Sequence, residues 1–242
     1  MYKLVLSLLL EMAVLNLGAQ DPAKTYVVRR IDGPVVLDAD WQKPVWQNIE
    51  SLTLEYHMGD KPDHFPEVTA KVAYDDQNIY LIWQVKDQYV KAVASEHQGP
   101  VFRDSCVEFF FIPDGLEGLE YFNLEMNCGG TMLFHHQDYN KPERVNITAE
   151  DIAKMRVAHS MPRLVPQEIE EKTTWYLEYS IPFEILKNYY QFEIPGSGEV
   201  WRANFYKCAD HTSHPHWLTW SQVNNPKPKF HLPQFFGKLV FE

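Results

Sequence analysis

Short runs rich in Val, Ile, Tyr and Phe recur along the whole chain, and turn-forming residues separate them. Such runs are typical of β-strands. We predict strands at 35–37, 52–56, 69–74, 79–85, 107–112, 121–126, 131–134, 155–158, 174–180, 201–208, 218–220 and 238–241. Many short strands with few helices predict an all-β fold, a jelly-roll-like antiparallel β-sandwich with a few short helices.

Two short helices interrupt the predicted strands. One is predicted at 40–47, with Asp38 or Asp40 as its N-cap. The other is predicted at 183–189, with Pro182 near its first turn. The segment at 75–78, Asp-Asp-Gln-Asn, has the residues of a hairpin loop between two predicted strands.

Length and charge restrict the class of protein. A chain of 242 residues with 45% hydrophobic residues can bury a full core as one domain. The formal net charge of -11 would repel a phosphate backbone, so we expect no nucleic-acid partner. We interpret 195–198 and 224–229 as loops rather than domain linkers, and therefore predict a single domain over 20–242.

The N-terminus has the features of a secretory signal. Lys3 precedes an apolar stretch, and the small residues of Leu17-Gly18-Ala19 suit cleavage. The stretch is too short and too interrupted to span a membrane. We therefore predict a signal peptide at 1–19 and export to the periplasm, cell envelope or exterior. Three cysteines allow at most one disulfide, and their spacing matches no zinc pattern.

The run at 107–112 is strongly apolar yet carries a carboxylate near its start. Because side chains alternate along a strand, Glu108 points away from Val107 and Phe109 and shares its face with Cys106 and Phe110. That face must be hydrated, internally paired or built to hold a polar ligand.

Two other predicted strands extend the polar surface around Glu108. By the same alternation, Met126 points inward, and the outward side chains are those of Asn123, Glu125, Asn127, Arg202, Asn204, Tyr206 and Cys208. Amides and carboxylates supply the directed hydrogen bonds that a sugar needs. Phe102, Trp217 and Phe230 in adjoining loops add flat apolar rings. The alternative is an ordinary outer sheet face with ladders such as Glu108 to Arg202.

Catalysis and metal binding stay open from the residues alone. Glu108 and Glu125 have the residue types of a glycosidase pair, although their separation is not given by sequence. His211, His214 and His216 with Asp210 could bind zinc or copper, or could simply hydrogen-bond within their loop. Asp75, Asp76 and Asn78 could hold calcium, but they are first of all turn formers.

Several segments, in order along the chain, resemble carbohydrate-binding module family 9, and more closely the family-9-like proteins of exported bacterial polysaccharide-use systems. The matching segments are IDGPVVLDADWQKPVW at 31–46, AYDDQNIYLIWQVKD at 73–87, RDSCVEFF at 103–110, YFNLEMNCGGT at 121–131, WYLEYSIPFEIL at 175–186, WRANFYKCADHTSHPHWLTW at 201–220 and FHLPQFFGKLVF at 230–241. Together they cover nearly all of the chain after the predicted signal.

The resemblance implies a β-sandwich that binds sugars without cleaving them, with no catalytic residue and with structural calcium in some members. Sugar-binding members hold a chain end between two aromatic rings above a carboxylate and amides. On this chain the implied rings are Phe102 and Phe230, and the implied carboxylate is Glu108. The full predicted ligand-binding set is Phe102, Arg103, Glu108, Asn123, Glu125, Asn204, Tyr206, Trp217 and Phe230. Both ring positions are Phe, which offers a smaller stacking surface than Trp.

Two rival functions are kept. The sandwich superfamily that the chain resembles also includes haem-binding sheets, which need an axial Met or His on the open face. We predict none there, since no His falls on an outward position of the predicted strands. The third class is a module with glycoside hydrolase activity.

Overall fold

The computed structural model of the chain describes residues 24–33, 35–113 and 118–242. The predicted signal peptide at 1–19 lies outside the described residues, and the single-domain boundary at 20–242 stays a prediction. The strands are β1 (Thr25–Arg30), β2 (Leu52–Thr53), β3 (Tyr56–His57), β4 (Glu67–Tyr74), β5 (Asn78–Asp87), β6 (Val90–Ala92), β7 (Cys106–Ile112), β8 (Glu120–Asn127), β9 (Met132–Asp138), β10 (Arg144–Asn146), β11 (Arg156–His159), β12 (Val165–Ile169), β13 (Thr173–Pro182), β14 (Val200–Cys208), β15 (Trp217–Thr219) and β16 (Gly237–Phe241). The short α-helices are α1 (Pro44–Gln47), α2 (Ala149–Ile152) and α3 (Phe183–Lys187).

Most strands form one curled, mostly antiparallel sheet with the main order β10-β9-β8-β7-β14-β16-β1-β4-β5-β13-β11, whereas β6 and β12 pair in a separate two-stranded sheet. The curl occurs at β1, whose first half pairs in parallel with β16 and whose last two residues pair in parallel with β4. The two halves therefore face each other as the layers of a sandwich. The predicted all-β sandwich with few helices is confirmed.

The main core lies between the two layers and follows the alternation of the strands. On β7, Val107, Phe109 and Phe111 enter this core, where they meet side chains of β5, β13 and β14. Met126 of β8 also points inward, as predicted. Cys106, Phe110 and Ile112 belong to a second apolar cluster on the opposite side of the sheet. The local pattern of the sequence thus fixes which side chains leave the core.

The predicted strand at 35–37 does not form. The backbone there turns to the buried carboxylate of Glu178 on β13, which accepts the amides of Asp38 and Ala39 and the indole N–H of Trp46. The ammonium of Lys43 completes this set at 2.7 Å. Glu178 therefore satisfies the backbone amides that directly follow the predicted strand, without a neighbouring strand.

The predicted strand at 52–56 divides into two pieces that serve different layers. β2 pairs with β4 in one half of the sheet, whereas β3 pairs with β15 in the other. The chain crosses between the layers at Leu54 and Glu55, and only tertiary pairing reveals this break.

The helices are shorter than predicted, and the first one is capped differently. α1 begins at Pro44, and Lys43 stands at its N-cap without a side-chain cap bond, so the prediction of Asp38 or Asp40 is wrong. Asp40 instead accepts the amide of Gln42 in the preceding turn. α3 begins directly after Pro182. The sequence prediction missed β1, β6, β10, β12 and α2. Within the described ranges, no helix is long and apolar enough to cross a membrane.

Candidate functional site

The outward side of β14, β7, β8 and β9 carries a band of polar side chains, which we call the polar face. Tyr206, Glu108 and Glu125 lie side by side on successive strands, because they are direct Cα partners. The next row along the strands contains Asn204, Phe110, Asn123 and His135. Side chains of directly opposed residues share one face of a sheet, so these rows form one surface.

A segment at 222–236 folds over the polar face, and we call it the covering segment. Its side chains Val223, Phe230, Leu232 and Phe236 pack on the apolar members of the face. The ring of Phe230 stacks on Tyr206 with centroids 4.2 Å apart, and Tyr206 donates its hydroxyl to the carbonyl of Phe230. The polar face is therefore enclosed in this state rather than open to solvent.

His231 in the covering segment is held by polar contacts. Its Nδ1 lies 2.9 Å from the hydroxyl of Tyr121 and 3.1 Å from the amide nitrogen of Gln137. Gln137 also donates to Asn123 at 2.6 Å. Burial lowers the pKa of His231 to about 4, so its ring is neutral around pH 7.

Two carboxyl groups lie buried next to each other in the middle of the polar face. Glu108 is 2% exposed and Glu125 is 5% exposed. One oxygen of Glu108 accepts the Cys208 thiol at 3.1 Å, and one oxygen of Glu125 accepts the Asn123 amide at 3.1 Å. The second oxygen of each group has no hydrogen-bond partner in the part of the chain that the structure describes.

Burial dominates the electrostatics of this pair, since it disfavours the charged form. It raises the pKa of Glu125 to about 8. For Glu108, burial and the neighbouring Cys208 and Glu125 raise the pKa well above its usual value of 4.5. At pH 7 Glu125 is therefore largely a carboxylic acid, which can donate as well as accept hydrogen bonds.

His135 corrects the prediction that no histidine faces outward. The strand predicted at 131–134 extends to Asp138, and the extension places His135 beside Asn123 on the polar face. The ring is 3% exposed, and its Nδ1 has no partner among the described residues. Burial and the positive charge of Arg144 lower its pKa to about 4.

The structure brings six of the predicted ligand-binding residues together on or directly over the polar face: Glu108, Asn123, Glu125, Asn204, Tyr206 and Phe230. Asn204 is fully occupied by its surroundings, because it donates to the carbonyl of Ser221 and accepts the amides of Phe205 and Ser221.

The other three predicted residues lie at the end of the face near Cys208. The carbonyl of Phe102 lies 3.4 Å from the Cys208 sulfur, and the exposed Arg103 sits over the Phe102 ring at 5.8 Å. Trp217 is the cross-strand partner of Cys208 and donates its indole N–H to Asp210 at 2.8 Å. The two predicted clamp rings therefore have different neighbours, Tyr206 for Phe230 and Arg103 for Phe102.

Sequence reasoning missed His135, Gln137 and His231 at this site. The alternation in His135-His136-Gln137 continues that of the preceding apolar residues. It could have identified His135 and Gln137 as outward residues. His231 lies outside any strand, so no periodic signal marks it.

The ladder from Glu108 to Arg202 does not form. Glu108 opposes Tyr206, and Arg202 opposes Ile112 two rows further along the strand. The guanidinium of Arg202 donates to the carbonyls of Gly118 and Pro233, so it anchors loops instead of neutralising the carboxyl.

The predicted histidine metal site is not assembled. His216 is buried, with its Nε2 2.7 Å from the Lys207 ammonium and its Nδ1 2.9 Å from the carbonyl of His214. His214 stacks on Tyr89 at 3.7 Å, and His211 is exposed. In the other candidate loop, Asp75 accepts the amides of Gln77 and Asn78 and thus serves as a turn former.

Comparisons with known proteins give a consistent picture. The sequence model of carbohydrate-binding family 9 matches residues 34–241. A crystal structure of a candidate carbohydrate-binding protein from Bacteroides uniformis superposes with a TM-score of 0.81 and 30% identity, covering 91% of this chain and 100% of that chain. No functionally curated protein matches the chain significantly.

Two further solved structures share the fold at lower identity. Both are family 9 carbohydrate-binding modules from Caldicellulosiruptor kristjanssonii. The complex with cellotriose has a TM-score of 0.58 at 15% identity and covers 90% of this chain and 94% of that chain. The complex with glucose has a TM-score of 0.54 at 16% identity and covers 90% and 96%.

Proposed function

Because the chain belongs to carbohydrate-binding family 9, we propose that it binds the end of an oligosaccharide or polysaccharide chain at the polar face. In this proposal it recognises the sugar without cleaving it and serves an exported system of polysaccharide use. Glucose and cellotriose, the ligands of the two structurally similar modules, are the first sugars to test.

The observation that carries the proposal is the set of unpaired polar atoms beneath the covering segment. The free oxygens of Glu108 and Glu125 and the Nδ1 of His135 are buried without partners among the described residues. A buried polar group without a hydrogen bond is unfavourable by about 1–3 kcal/mol. Hydroxyl groups of a sugar would satisfy all three positions, since each hydroxyl both donates and accepts.

The electrostatic state of the face favours an uncharged ligand. The raised pKa of Glu125, caused chiefly by burial, keeps its carboxyl protonated at pH 7, and the lowered pKa of His135 keeps its ring neutral. A neutral, hydrogen-bonding surface has no charge to offer an acidic or basic ligand, whereas it matches a neutral polyol.

Access to the polar face requires the covering segment to move. Phe230 is 8% exposed and lies on Tyr206 in the position that a stacked sugar ring would take. We propose that the sugar enters between Phe230 and the sheet, with Phe102 at the Cys208 end of the face. Apolar C–H surfaces of a sugar replace the ring contact that Tyr206 loses.

Variants of the polar face test this proposal. We expect Glu108→Ala, Phe102→Ala and Phe230→Ala each to weaken sugar binding about tenfold, which is about 1.4 kcal/mol. Glu108→Ala removes a buried hydrogen-bonding group, and the Phe variants remove apolar contact. The measurement is calorimetric titration with the best sugar from a glycan array, with thermal melts of every variant alongside.

Glu120→Ala is the matched control, because Glu120 is a partly exposed carboxylate at the start of β8, and this variant should bind sugar like the parent. If Glu108→Ala and Phe230→Ala stay folded and also bind like the parent, the sugar site lies elsewhere. Release of reducing ends that is lost in Glu108→Gln would identify a hydrolase instead. A Soret band in the purified protein would favour haem at His135.

Export is a separate prediction, based on the apolar start and on Leu17-Gly18-Ala19. We expect the protein isolated from the cell envelope to lack the first 19 residues. Intact-mass measurement of the native protein decides this. A full-length mass in the cytoplasmic fraction would contradict it.

A further inference from the structure

Two cysteines that are far apart in sequence meet at one end of the polar face. Cys106 on β7 and Cys208 on β14 are direct Cα partners, and Glu108 follows Cys106 on the same side of β7. One ligand atom from each of these three residues lies within 4.8 Å of the other two. All three side chains are buried, with at most 2% exposure.

The spacing of these atoms suits a metal ion. Two thiolates on a tetrahedral zinc ion, each at about 2.3 Å, lie about 3.8 Å apart, and a carboxylate oxygen lies slightly closer to each sulfur. The separations between the three ligand atoms therefore exceed those around a zinc ion by about 1 Å at most.

The donor set selects a soft or borderline ion. Thiolates favour zinc, cadmium and copper(I) over magnesium and calcium, which prefer oxygen ligands. In a four-coordinate site, two thiolates and one carboxylate leave one position for water or another oxygen donor.

The hydrogen bonds of the metal-free state show what the ion would replace. The Cys208 thiol donates to one oxygen of Glu108 at 3.1 Å, while the other oxygen is buried and unpaired among the described residues. A disulfide between Cys106 and Cys208 would remove the thiol proton, so neither oxygen of Glu108 would accept a hydrogen bond from Cys208. A metal ion instead bonds to the carboxylate directly.

We propose that Cys106, Cys208 and Glu108 bind one thiophilic metal ion, with Zn²⁺ as the ion to test. Binding displaces a proton from each thiol, so at least two protons leave for each ion bound. The site uses Glu108, but the proposal does not depend on sugar binding, since its readout is the metal alone.

Metal ions reach the site at the margin of the sheet. The carbonyl of Phe102 lies 3.4 Å from the Cys208 sulfur, and the next residue, Arg103, is exposed. The turn at Val101–Arg103 therefore lies against the Cys208 sulfur. In this proposal, entry of the ion displaces this turn.

The test is titration of the reduced full-length chain with Co²⁺ and Zn²⁺. We expect one equivalent of Co²⁺ to give thiolate-to-cobalt charge-transfer absorption, Zn²⁺ to abolish it, and at least two protons to be released in weak buffer. Cys106→Ser, Cys208→Ser and Glu108→Gln each remove a ligand, so affinity should fall by more than the about 10–100-fold seen for outer-shell changes.

Cys128→Ser is the matched control, because Cys128 is an equally buried free thiol that packs in the main core, and it should bind like the parent. Absence of the charge-transfer band in the folded parent overturns the proposal, whatever the variants do. A band that survives in Cys106→Ser, or a Cys106–Cys208 disulfide without metal in protein from its native source, also overturns it.

Discussion

Replacing Lys207 with methionine is expected to lower the free energy of unfolding by about 3–5 kcal/mol. Lys207 points inward from β14 and is completely buried. Its ammonium lies 3.3 Å from the carboxylate of Asp87, 2.7 Å from His216 and 3.1 Å from the carbonyl of Cys208. Methionine preserves most of the volume but removes the charge, so Asp87 becomes a buried carboxylate without its cation.

The electrostatics of Asp87 support the size of this effect. Burial alone would raise its pKa, but Lys207, His64 and His216 outweigh burial and hold the pKa well below its usual value of 3.8. A depressed carboxyl pKa means that the folded state stabilises the charged form. That stability is present above the ordinary pKa and is lost as pH falls.

Urea unfolding at pH 7 measures the change. Lys86→Met is the matched control, because Lys86 pairs with Glu67 on the surface, where both side chains are at least half exposed, and should change stability by about 1 kcal/mol or less. The double variant Asp87→Leu/Lys207→Met should recover much of the loss. A Lys207→Met variant as stable as the parent would show that the buried pair contributes little.

Replacing Glu125 with glutamine is expected to stabilise the protein increasingly as the pH rises from about 5 to 8. Burial first of all raises the pKa of Glu125 from 4.5 to about 8 in the folded state. Between these values the folded state holds a proton that the unfolded state has released. The contribution of Glu125 to the stability of the parent therefore falls with rising pH, by up to about 1.4 kcal/mol per unit.

Glutamine cannot ionise, so the variant escapes this loss and should exceed the parent by about 2–5 kcal/mol at pH 8 and above. At pH 4 the two proteins should differ least. The measurement is urea unfolding from pH 4 to 9, with Glu120→Gln as the control for a partly exposed carboxylate on the same strand. A constant difference between Glu125→Gln and the parent across this range would mean that Glu125 titrates normally.

Alternation along the strands allowed the sequence alone to predict which side chains leave the core. Val107 and Phe109 of β7 enter the main core while Cys106 and Phe110 lie on the opposite side, as the period of two requires. The same rule correctly assigned the outward residues of β8 and β14. This information is local, because a strand places its side chains by its own backbone geometry.

Loop positions and strand ends were less predictable, because they depend on partners that are distant in sequence. The segment at 35–37 has the residues of a strand, but Glu178, more than a hundred positions away, accepts the amides of Asp38 and Ala39 directly after it. β9 continues past Phe134 because β8 and β10 pair with both of its edges, and this continuation delivers His135 to the polar face. Such outcomes depend on partners that no window of sequence contains.

The sequence by itself determined the class of fold, the family and the side of the sheet on which Glu108, Glu125 and Tyr206 lie. Only the tertiary structure decided which of these residues touch. It set Cys106 beside Cys208, Lys207 against Asp87 and Phe230 on Tyr206. The physical reason is that a strand fixes its two faces locally, whereas its neighbours and their register are fixed by burial of the whole core.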